Sequence, residues 1–321
     1  MPASQPSFHA PSPMRRLQRW LLPVGLAAVL LMAYVYAEAD APPDAVGGDA
    51  AVVQTTNPPL TAKDVYQLGE QITYNVTWNG QAVGQAISVV DRVMEKDGHK
   101  VFLIKSYTRA NDFISVVYPV NDRVESYVDT TTLAPVYFNK VLREGDFKRD
   151  EYLTIDWKDQ IATFFRKKGE EYQQKGRVYV PQLVQDPLSV MFYMRGLELA
   201  VGKTYSITVV DSRRTSALQV QVDKEETIDI RNVGSFECYK LIPSAEYEGI
   251  FKRKKADGVM WIDKQTRIPV RVDVEIPLGN IVIALESVTN IYQEAEARKA
   301  PADRWWKNKP AADQPKSDDK K

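Results

Sequence analysis

Histidine and cysteine, which serve as nucleophiles, general bases and zinc ligands in many enzymes, are scarce in this sequence. The histidines are His9 and His99, and the single cysteine is Cys238. A zinc site made of His and Cys side chains needs about four ligands, so these residues predict no metal site. A catalytic triad would have to use His99, which lies in a turn-like segment. Cys238 lies in an apolar run and is interpreted as a buried, inert thiol. We therefore predict no catalytic residue, metal or cofactor.

Carboxylates are abundant, but their pattern selects no site. Asp and Glu number 42, which allows acid pairs of the kind used in glycoside hydrolysis, yet no spacing singles out two of them. Lys and Arg also number 42, so the formal net charge is zero. A nucleic-acid partner normally requires a basic stripe, and none is predicted here.

One predicted helix, at about 187–199, is better suited to binding than to catalysis. Asp186 is a good N-cap and Pro187 a good first helical residue. Apolar residues on two sides of the helix predict that it is wedged between layers. Arg195 lies on one apolar side, where it either forms a salt bridge to a sheet or recognises an anionic group. The candidate ligand-binding residues, for an acyl chain with an anionic head, are Leu188, Met191, Phe192, Arg195, Trp78 and Trp261.

Most of the chain between residues 64 and 292 has the period-two alternation of β-strands. In the segment 72–78, apolar residues alternate with polar ones, and Asn79-Gly80 then supplies a tight hairpin turn. The segments 101–104 and 281–285 are apolar on both faces and must be covered on both sides. Strands joined by short turns pair antiparallel, so we predict a mainly β fold of antiparallel meanders in a curved sheet. A closed barrel, a half-barrel and a sandwich all remain open.

Two parts of the chain match at a nearly constant offset of about 134 residues. The shared pattern is a hairpin with Asp, Thr and Pro at its turn, as in Asp129, Thr132 and Pro135 and again in Asp263, Thr266 and Pro269. The carboxylate can accept backbone N–H groups in such a turn. We interpret this as two pseudo-repeats, 69–156 and 202–292, connected through the helix.

The N-terminus predicts export. Basic residues in the segment 1–19 precede an uncharged, largely apolar stretch at 20–37, and acidic residues follow it. This stretch is long enough to cross a bilayer, with the remainder of the chain outside the cytoplasm. It is either an uncleaved anchor or a cleaved signal, since Ala37-Glu38-Ala39 resembles a cleavage site. The domain is expected on the periplasmic side of the inner membrane or, after cleavage, in the soluble periplasm.

The segments that flank the β domain differ from it in composition. Residues 38–63 are predicted to be a flexible linker, and residues 293–321 a disordered basic tail. Trp305-Trp306 in that tail could alternatively contact lipid headgroups. The predicted organisation is therefore segment 1–19, anchor or signal 20–37, linker 38–63, β domain 64–292 and tail 293–321.

These motifs also carry a family resemblance. Leu68-Gly69-Glu70 with Tyr74, Asp186-Pro187-Leu188-Ser189 with Arg195, and Trp261-Ile262-Asp263 with Pro269 resemble the bacterial envelope family called domain of unknown function 3108. The resemblance covers about 64–292 and implies an exported β-rich domain, with no established catalytic residues. The 261–271 hairpin is also similar to one in the lipoprotein-carrier proteins LolA, LolB and RseB, whose curved sheets wrap an apolar cavity.

Three functions are compatible with the sequence. The first is a non-catalytic envelope protein whose curved sheet binds a lipid, an acyl chain or a lipoprotein segment. The second is a protein–protein scaffold or assembly factor that uses exposed strand edges and the basic tail. The third is a hydrolase acting on envelope glycan or lipid. The volume and lining of any cavity between the 187–199 helix and the sheet discriminate between them.

Overall fold

The structure is a computed structural model that describes residues 65–246, 258–276 and 279–292. The predicted segments 1–19, 20–37, 38–63 and 293–321 lie outside these residues. No helix in the described ranges combines the length and apolar character needed to cross a bilayer.

The described chain forms a single sheet of fourteen strands in which all neighbours are antiparallel. Consecutive strands are neighbours within β1–β8 and within β9–β14, and β1 pairs with β14. The predicted mainly β fold of antiparallel meanders is thus confirmed. The strands are β1 (Glu70–Trp78), β2 (Gln81–Lys96), β3 (His99–Ala110), β4 (Asn121–Asp129), β5 (Pro135–Glu144), β6 (Phe147–Asp156), β7 (Ile161–Lys168), β8 (Glu171–Tyr179), β9 (Thr204–Asp211), β10 (Arg214–Ile230), β11 (Gly234–Glu246), β12 (Gly258–Asp263), β13 (Pro269–Ile276) and β14 (Gly279–Asn290).

The sheet is not closed into a barrel, so β8 and β9 are its two edges. The edge at β9 is covered, because Gln185 exchanges backbone hydrogen bonds of 2.9 and 2.8 Å with Thr208 and Val210. Most side chains of β8 are exposed and polar. Polar and charged residues on an open edge limit uncontrolled strand addition.

Local sequence accounts for the short hairpins. At the β1–β2 turn, Asn79 and Gly80 adopt φ of 48° and 80°, and at the β2–β3 turn Asp97 and Gly98 adopt 50° and 81°. Both positions of a type I′ turn require positive φ, which Asn, Asp and Gly tolerate best. The predicted Asn-Gly hairpin is confirmed.

Two helices interrupt the strands: α1 (Asp112–Ser115) and α2 (Ser189–Arg195). Helix α2 is shorter than the predicted 187–199. Its C-cap is Gly196, whose N–H contacts the carbonyls of both Tyr193 and Met194. The helix ends there because glycine is a poor helix former and β9 begins a few residues later.

The core lies between α2 and the concave face of the sheet. All seven residues of α2 are buried, which confirms the prediction of a helix covered on both sides. Residues 101–104 on β3 are likewise all buried. On β14 the pattern differs from the expectation, since Ile281, Ile283 and Leu285 are buried but Val282 and Ala284 between them are only partly covered.

The two predicted pseudo-repeats contain six strands each, β1–β6 and β9–β14. The N–H of Leu133 donates to Asp129 O and that of Arg267 to Asp263 O, both at 3.0 Å. The Thr132 and Thr266 amides also donate to the aspartate carboxylates, at 2.9 and 2.7 Å. These matching turns follow the predicted Asp-Thr-Pro pattern. An origin of the two halves by duplication stays a prediction.

Candidate functional site

The turn that leads into α2 is built around a buried carboxylate. Asp186 Oδ1 accepts the backbone N–H groups of Leu188 and Ser189, each at 2.8 Å, and Ser126 Oγ on β4 donates to the other carboxylate oxygen. Asp186 therefore stabilises the turn that precedes the helix, but the predicted N-cap position is wrong. The N-cap is Leu188 and the regular helix begins at Ser189, so Pro187 is not its first residue. Burial raises the pKa of Asp186 to about 6, and these donors limit the rise.

A bidentate ion pair fixes the other end of α2 to the sheet. Arg195 donates from two guanidinium nitrogens to both oxygens of Glu70, at 2.5 and 2.9 Å. The two side chains are 3% and 5% exposed, so the pair is shielded from water. Of the two roles left open for Arg195, the structure shows the salt bridge between helix and sheet. The Nε atom of Arg195 is buried and has no hydrogen-bond partner.

Aromatic stacking adds to this attachment. The Tyr66 ring stacks on Phe102 of β3 at a centroid distance of 5.0 Å and on Phe192 of α2 at 5.5 Å. Stacked aromatic pairs of this kind contribute about 0.5–1.5 kcal/mol each beyond area burial. Helix α2 is therefore held by its N-terminal turn, its C-terminal arginine and one face of its apolar surface.

Four of the six predicted ligand-binding residues lie together around one cavity. Leu188, Met191, Phe192 and Arg195 line it with residues of β1, β2 and β3. Trp78 and Trp261 are not among its lining residues. The Trp261 indole instead donates to Glu226 at 2.8 Å and lies against the Arg271 guanidinium. Trp78 and Trp261 are partly buried and pack against the hydrophobic core, but they lie outside the group around this cavity. A ligand-binding role for the six residues stays a prediction.

The cavity between α2 and the sheet has a volume of about 30 Å³. This space accommodates about one or two water molecules, whereas pockets for drug-sized ligands span about 300–1,000 Å³. Helix and sheet thus fill one another. An acyl chain could enter here only if α2 moved away from β1–β3.

A second group of buried polar residues was not predicted. Asp122 on β4 and Glu144 on β5 are both buried, and each has one carboxylate oxygen without a hydrogen-bond donor. Burial and the neighbouring Asp122 raise the pKa of Glu144 to about 10, while burial also raises the pKa of Asp122. A single proton shared by the two carboxyl groups satisfies both orphan oxygens.

Lys140 forms a further interior link between the two halves of the sheet. Its ammonium lies 2.8 Å from Asp211 on β9 and 3.2 Å from Glu151 on β6. All three side chains are buried. The sequence could have indicated these buried charges through charged residues at core-facing positions of a strand. Lys140, for example, lies on the same face of β5 as the core residues Phe138 and Leu142.

The outer face of β4–β8 carries a ladder of aromatic rings. Tyr127 contacts Tyr137, and Tyr137 contacts Tyr152 on the next strand. Tyr152 in turn contacts both Phe165 and Tyr172, and all these centroid distances are 4.6–5.4 Å. We call these five residues the aromatic ladder. They alternate along their strands with core residues such as Phe138, Leu153 and Phe164, so they point away from α2.

The ladder is accessible and lies next to the open edge. Tyr172 on β8 is 42% exposed, and the other four rings are half-buried. The Lys96 ammonium lies over the Tyr137 ring, 4.4 Å from its centroid. The ladder could not be found from the sequence because its members are 7–15 residues apart and only the strand register brings them together.

The residues considered for catalysis have structural roles in the described chain. His99 Nδ1 lies 3.0 Å from Asp129, whose carboxylate also accepts two backbone N–H groups of the β4–β5 turn. Cys238 is buried, as predicted, and burial raises the pKa of its thiol to about 12. Among the residues that the structure describes, no cluster of three His, Cys, Asp or Glu side chains is arranged to hold a metal ion.

The family model described as "Protein of unknown function (DUF3108)" matches residues 73–286, which is most of the β domain. The chain belongs to the DUF3108 family. The resemblance expected from the sequence is therefore confirmed. No curated protein matches this sequence significantly.

Three solved structures are similar to this chain at low sequence identity. A β-barrel-like DUF1849 protein from Brucella abortus is 12% identical, with coverage of 70% of this chain and 98% of that one and a TM-score of 0.47. An exported protein with a YmcC-like fold from Bacteroides fragilis is 12% identical, with coverage of 70% and 97% and a TM-score of 0.32. A lipoprotein from Parabacteroides distasonis is 11% identical, with coverage of 74% and 100% and a TM-score of 0.28. These three descriptions concern those proteins alone.

Proposed function

We propose that this DUF3108 protein is an exported, non-catalytic cell-envelope protein that binds another envelope protein through its aromatic ladder. The apolar stretch at 20–37, preceded by basic residues, supports export to the periplasmic side of the inner membrane. The ladder is the observation that carries the binding role.

The chemistry of the ladder matches that of protein–protein interfaces. Interfaces are enriched in Tyr, Trp, Phe and Arg, and their strongest contacts cluster on such residues. Five rings across five strands form one rigid, amphipathic surface, because each ring is held by its neighbours. Little side-chain entropy is then lost when a partner binds.

The neighbouring edge strand β8 extends this surface. In the described sheet β8 pairs only with β7, so the segment around Tyr172 has one side without a neighbouring strand. Further along β8, the Arg213 side chain lies close to Gly176. A partner can add a strand there and place side chains against Tyr172 at the same time. The interior supports the choice of a protein partner over an enclosed ligand, because the cavity beside α2 holds only about one or two water molecules.

Site-specific photo-crosslinking in cells tests this function. A photoreactive phenylalanine analogue replaces Tyr172 in the ladder or, as a matched control, Tyr179 on the same strand. Tyr179 is 58% exposed but does not belong to the ladder. We expect one adduct of constant mass at position 172 and little at position 179. Equal adducts at both positions, or none at 172, would refute the proposal.

A lipid-like ligand is the second candidate function. It is favoured by the unpaired Nε–H of Arg195, which lines a mostly apolar cavity and could bind an anionic head if α2 moved outward. Native mass spectrometry of protein purified without detergent would then show a bound amphiphile, and Arg195→Met would abolish its capture. Protein that is always recovered empty and does not bind fluorescent fatty acids excludes this function.

A further inference from the structure

The open edge of the sheet carries an excess of positive charge. The hairpin of β7 and β8, residues 161–179, has basic side chains at 166, 167, 168, 175 and 177. Its acidic side chains are at 170 and 171, in or next to the turn, so the net charge of the hairpin is +3. The whole chain, in contrast, has a formal net charge of zero. Basic charge is therefore concentrated beside the strand that pairs on one side only.

Some of these basic groups have no counter-ion. Among the described residues, Lys168, Lys175 and Arg177 form no salt bridge, and all three are exposed. The Lys175 ammonium donates only to the neutral side chain of Gln173, at 2.9 Å. Unpaired charges at one edge attract a partner of opposite charge and repel one of like charge.

The accessible part of this edge is short and well defined. The pairing of β8 with β7 changes register at Lys175, which is left as an extra residue in β8. Just beyond it, the side chain of Arg213 from the β9–β10 turn lies close to Gly176. Arg213 is exposed and adds a further positive charge. A regular strand can therefore pair with residues 171–174, which lie between Lys175 at one end and the hairpin turn at the other.

The chemistry of the edge favours an extended peptide with acidic side chains. A strand that joins a sheet lies about 4.8 Å from its neighbour, so its side chains reach those of the edge strand. Opposite charges on paired strands are stabilising, whereas like charges are destabilising. A peptide also satisfies the alternating backbone N–H and C=O groups of an open edge, which a layer of lipid phosphates does not.

We propose that the partner of the aromatic ladder contributes an acidic, extended segment that pairs with residues 171–174 of β8. This inference rests on the protein-binding function proposed above and specifies the chemistry of the partner. Carboxylates of the segment lie near Lys168, Lys175 and Arg177, while its other side chains contact the Tyr172 ring. The charges also accelerate association, and added salt reduces this effect.

Selection from a peptide library on the full-length protein tests the charge of the segment. The library presents random ten-residue peptides, and the mean net charge of the enriched peptides is compared with that of the unselected library. Lys168→Glu/Lys175→Glu reverses the charge at the edge. The matched control is Lys100→Glu/Arg231→Glu, which makes the same charge change at exposed residues of β3 and of the β10–β11 turn.

We expect the unsubstituted protein and the matched control to enrich peptides about two charge units more acidic than the library. The edge variant should not, and should bind the most enriched peptide about tenfold less tightly, because attractive cross-strand pairs become repulsive. Binding of that peptide to the unsubstituted protein should also slow hydrogen exchange at the amides of residues 171–174.

Several results would overturn this proposal. They are enrichment of neutral or basic peptides, no enrichment, equal enrichment by the edge variant, and unchanged exchange at residues 171–174. Displacement of the peptide by phosphatidylglycerol vesicles would assign the charged edge to a bilayer instead. An adduct at position 172 in the crosslinking experiment, together with any of these results, would refute the acidic segment alone. Absence of that adduct would refute the function of the ladder itself.

Discussion

The attachment of α2 to the sheet can be tested by replacing each partner of the Arg195–Glu70 pair. Arg195→Met leaves the Glu70 carboxylate at a site where the two side chains are 3% and 5% exposed. Removing one partner of a buried ion pair costs about 3–5 kcal/mol, because the remaining charge is uncompensated. Glu70→Leu leaves the guanidinium equally unpaired and should cost a similar amount.

The double variant Glu70→Leu/Arg195→Met gives the decisive value. It removes both charges and keeps the site apolar, so we expect stability within about 1 kcal/mol of the unsubstituted protein. The resulting coupling energy between the two residues is then about 5 kcal/mol or more. Equilibrium unfolding in guanidinium chloride, followed by tryptophan fluorescence and circular dichroism, measures all four proteins. Two single variants that each lose less than about 1 kcal/mol and add without coupling would show that the pair does not hold α2.

Two further predictions concern buried titratable groups. Burial beside Asp122 raises the pKa of Glu144 in the folded protein to about 10. Between about pH 4.5 and 10 the folded protein therefore keeps a proton on Glu144 that the unfolded chain releases. The free energy of unfolding consequently falls as the pH rises through this range. In denaturant titrations at pH 8, the Glu144→Gln protein should be about 1–3 kcal/mol more stable than the unsubstituted protein. Its stability should also change less between pH 5 and pH 8. A loss of stability at pH 8 would contradict the shared proton. Because Cys238 is buried with a pKa of about 12, its thiol should not react with a disulfide reagent in the folded protein and should react fully in denaturant. A rapid reaction in native buffer would show that β11 opens far more readily than its burial indicates.

Local sequence patterns predicted the strands and their turns because these depend on neighbouring residues. The alternation in β1 and the Asn79-Gly80 turn are examples, since side-chain direction and positive φ are set within a few residues. The burial of α2 and the salt bridge of Arg195 could also be predicted from the sequence, because a charge on an apolar helix face needs a partner. The identity of that partner, Glu70, was not, because it lies 125 residues earlier in the chain.

Features that depend on register between distant segments could not be predicted. The aromatic ladder exists because Tyr127 is paired with Tyr137 and Tyr152 with Phe165, and alternation alone does not align strands. The open sheet is a similar case, since closure depends on whether β8 meets β9. The helix was overestimated in length because its apolar residues continue to Leu199, although Gly196 ends the regular turn.

The cavity volume favours a surface role over an enclosed ligand among the functions that the sequence left open. An amphiphile-binding sheet requires space beside α2, and the structure has about 30 Å³ there. Surface features then become the more informative part of the molecule. Among these features, the aromatic ladder is the surface on which the proposed protein-binding role rests.

The most direct test of the account is the affinity of the crosslinked protein partner for two tyrosine variants. Tyr172→Ala removes the exposed ring of the ladder, and Tyr179→Ala removes a more exposed ring outside it on the same strand. Interface residues of this type contribute about 2 kcal/mol or more, so Tyr172→Ala should weaken binding by roughly 30-fold. Tyr179→Ala should change the affinity by less than about twofold, because exposed residues outside an interface contribute little. Unchanged binding by the Tyr172→Ala protein, with its fold intact by circular dichroism, would contradict the central claim that the aromatic ladder is the binding surface.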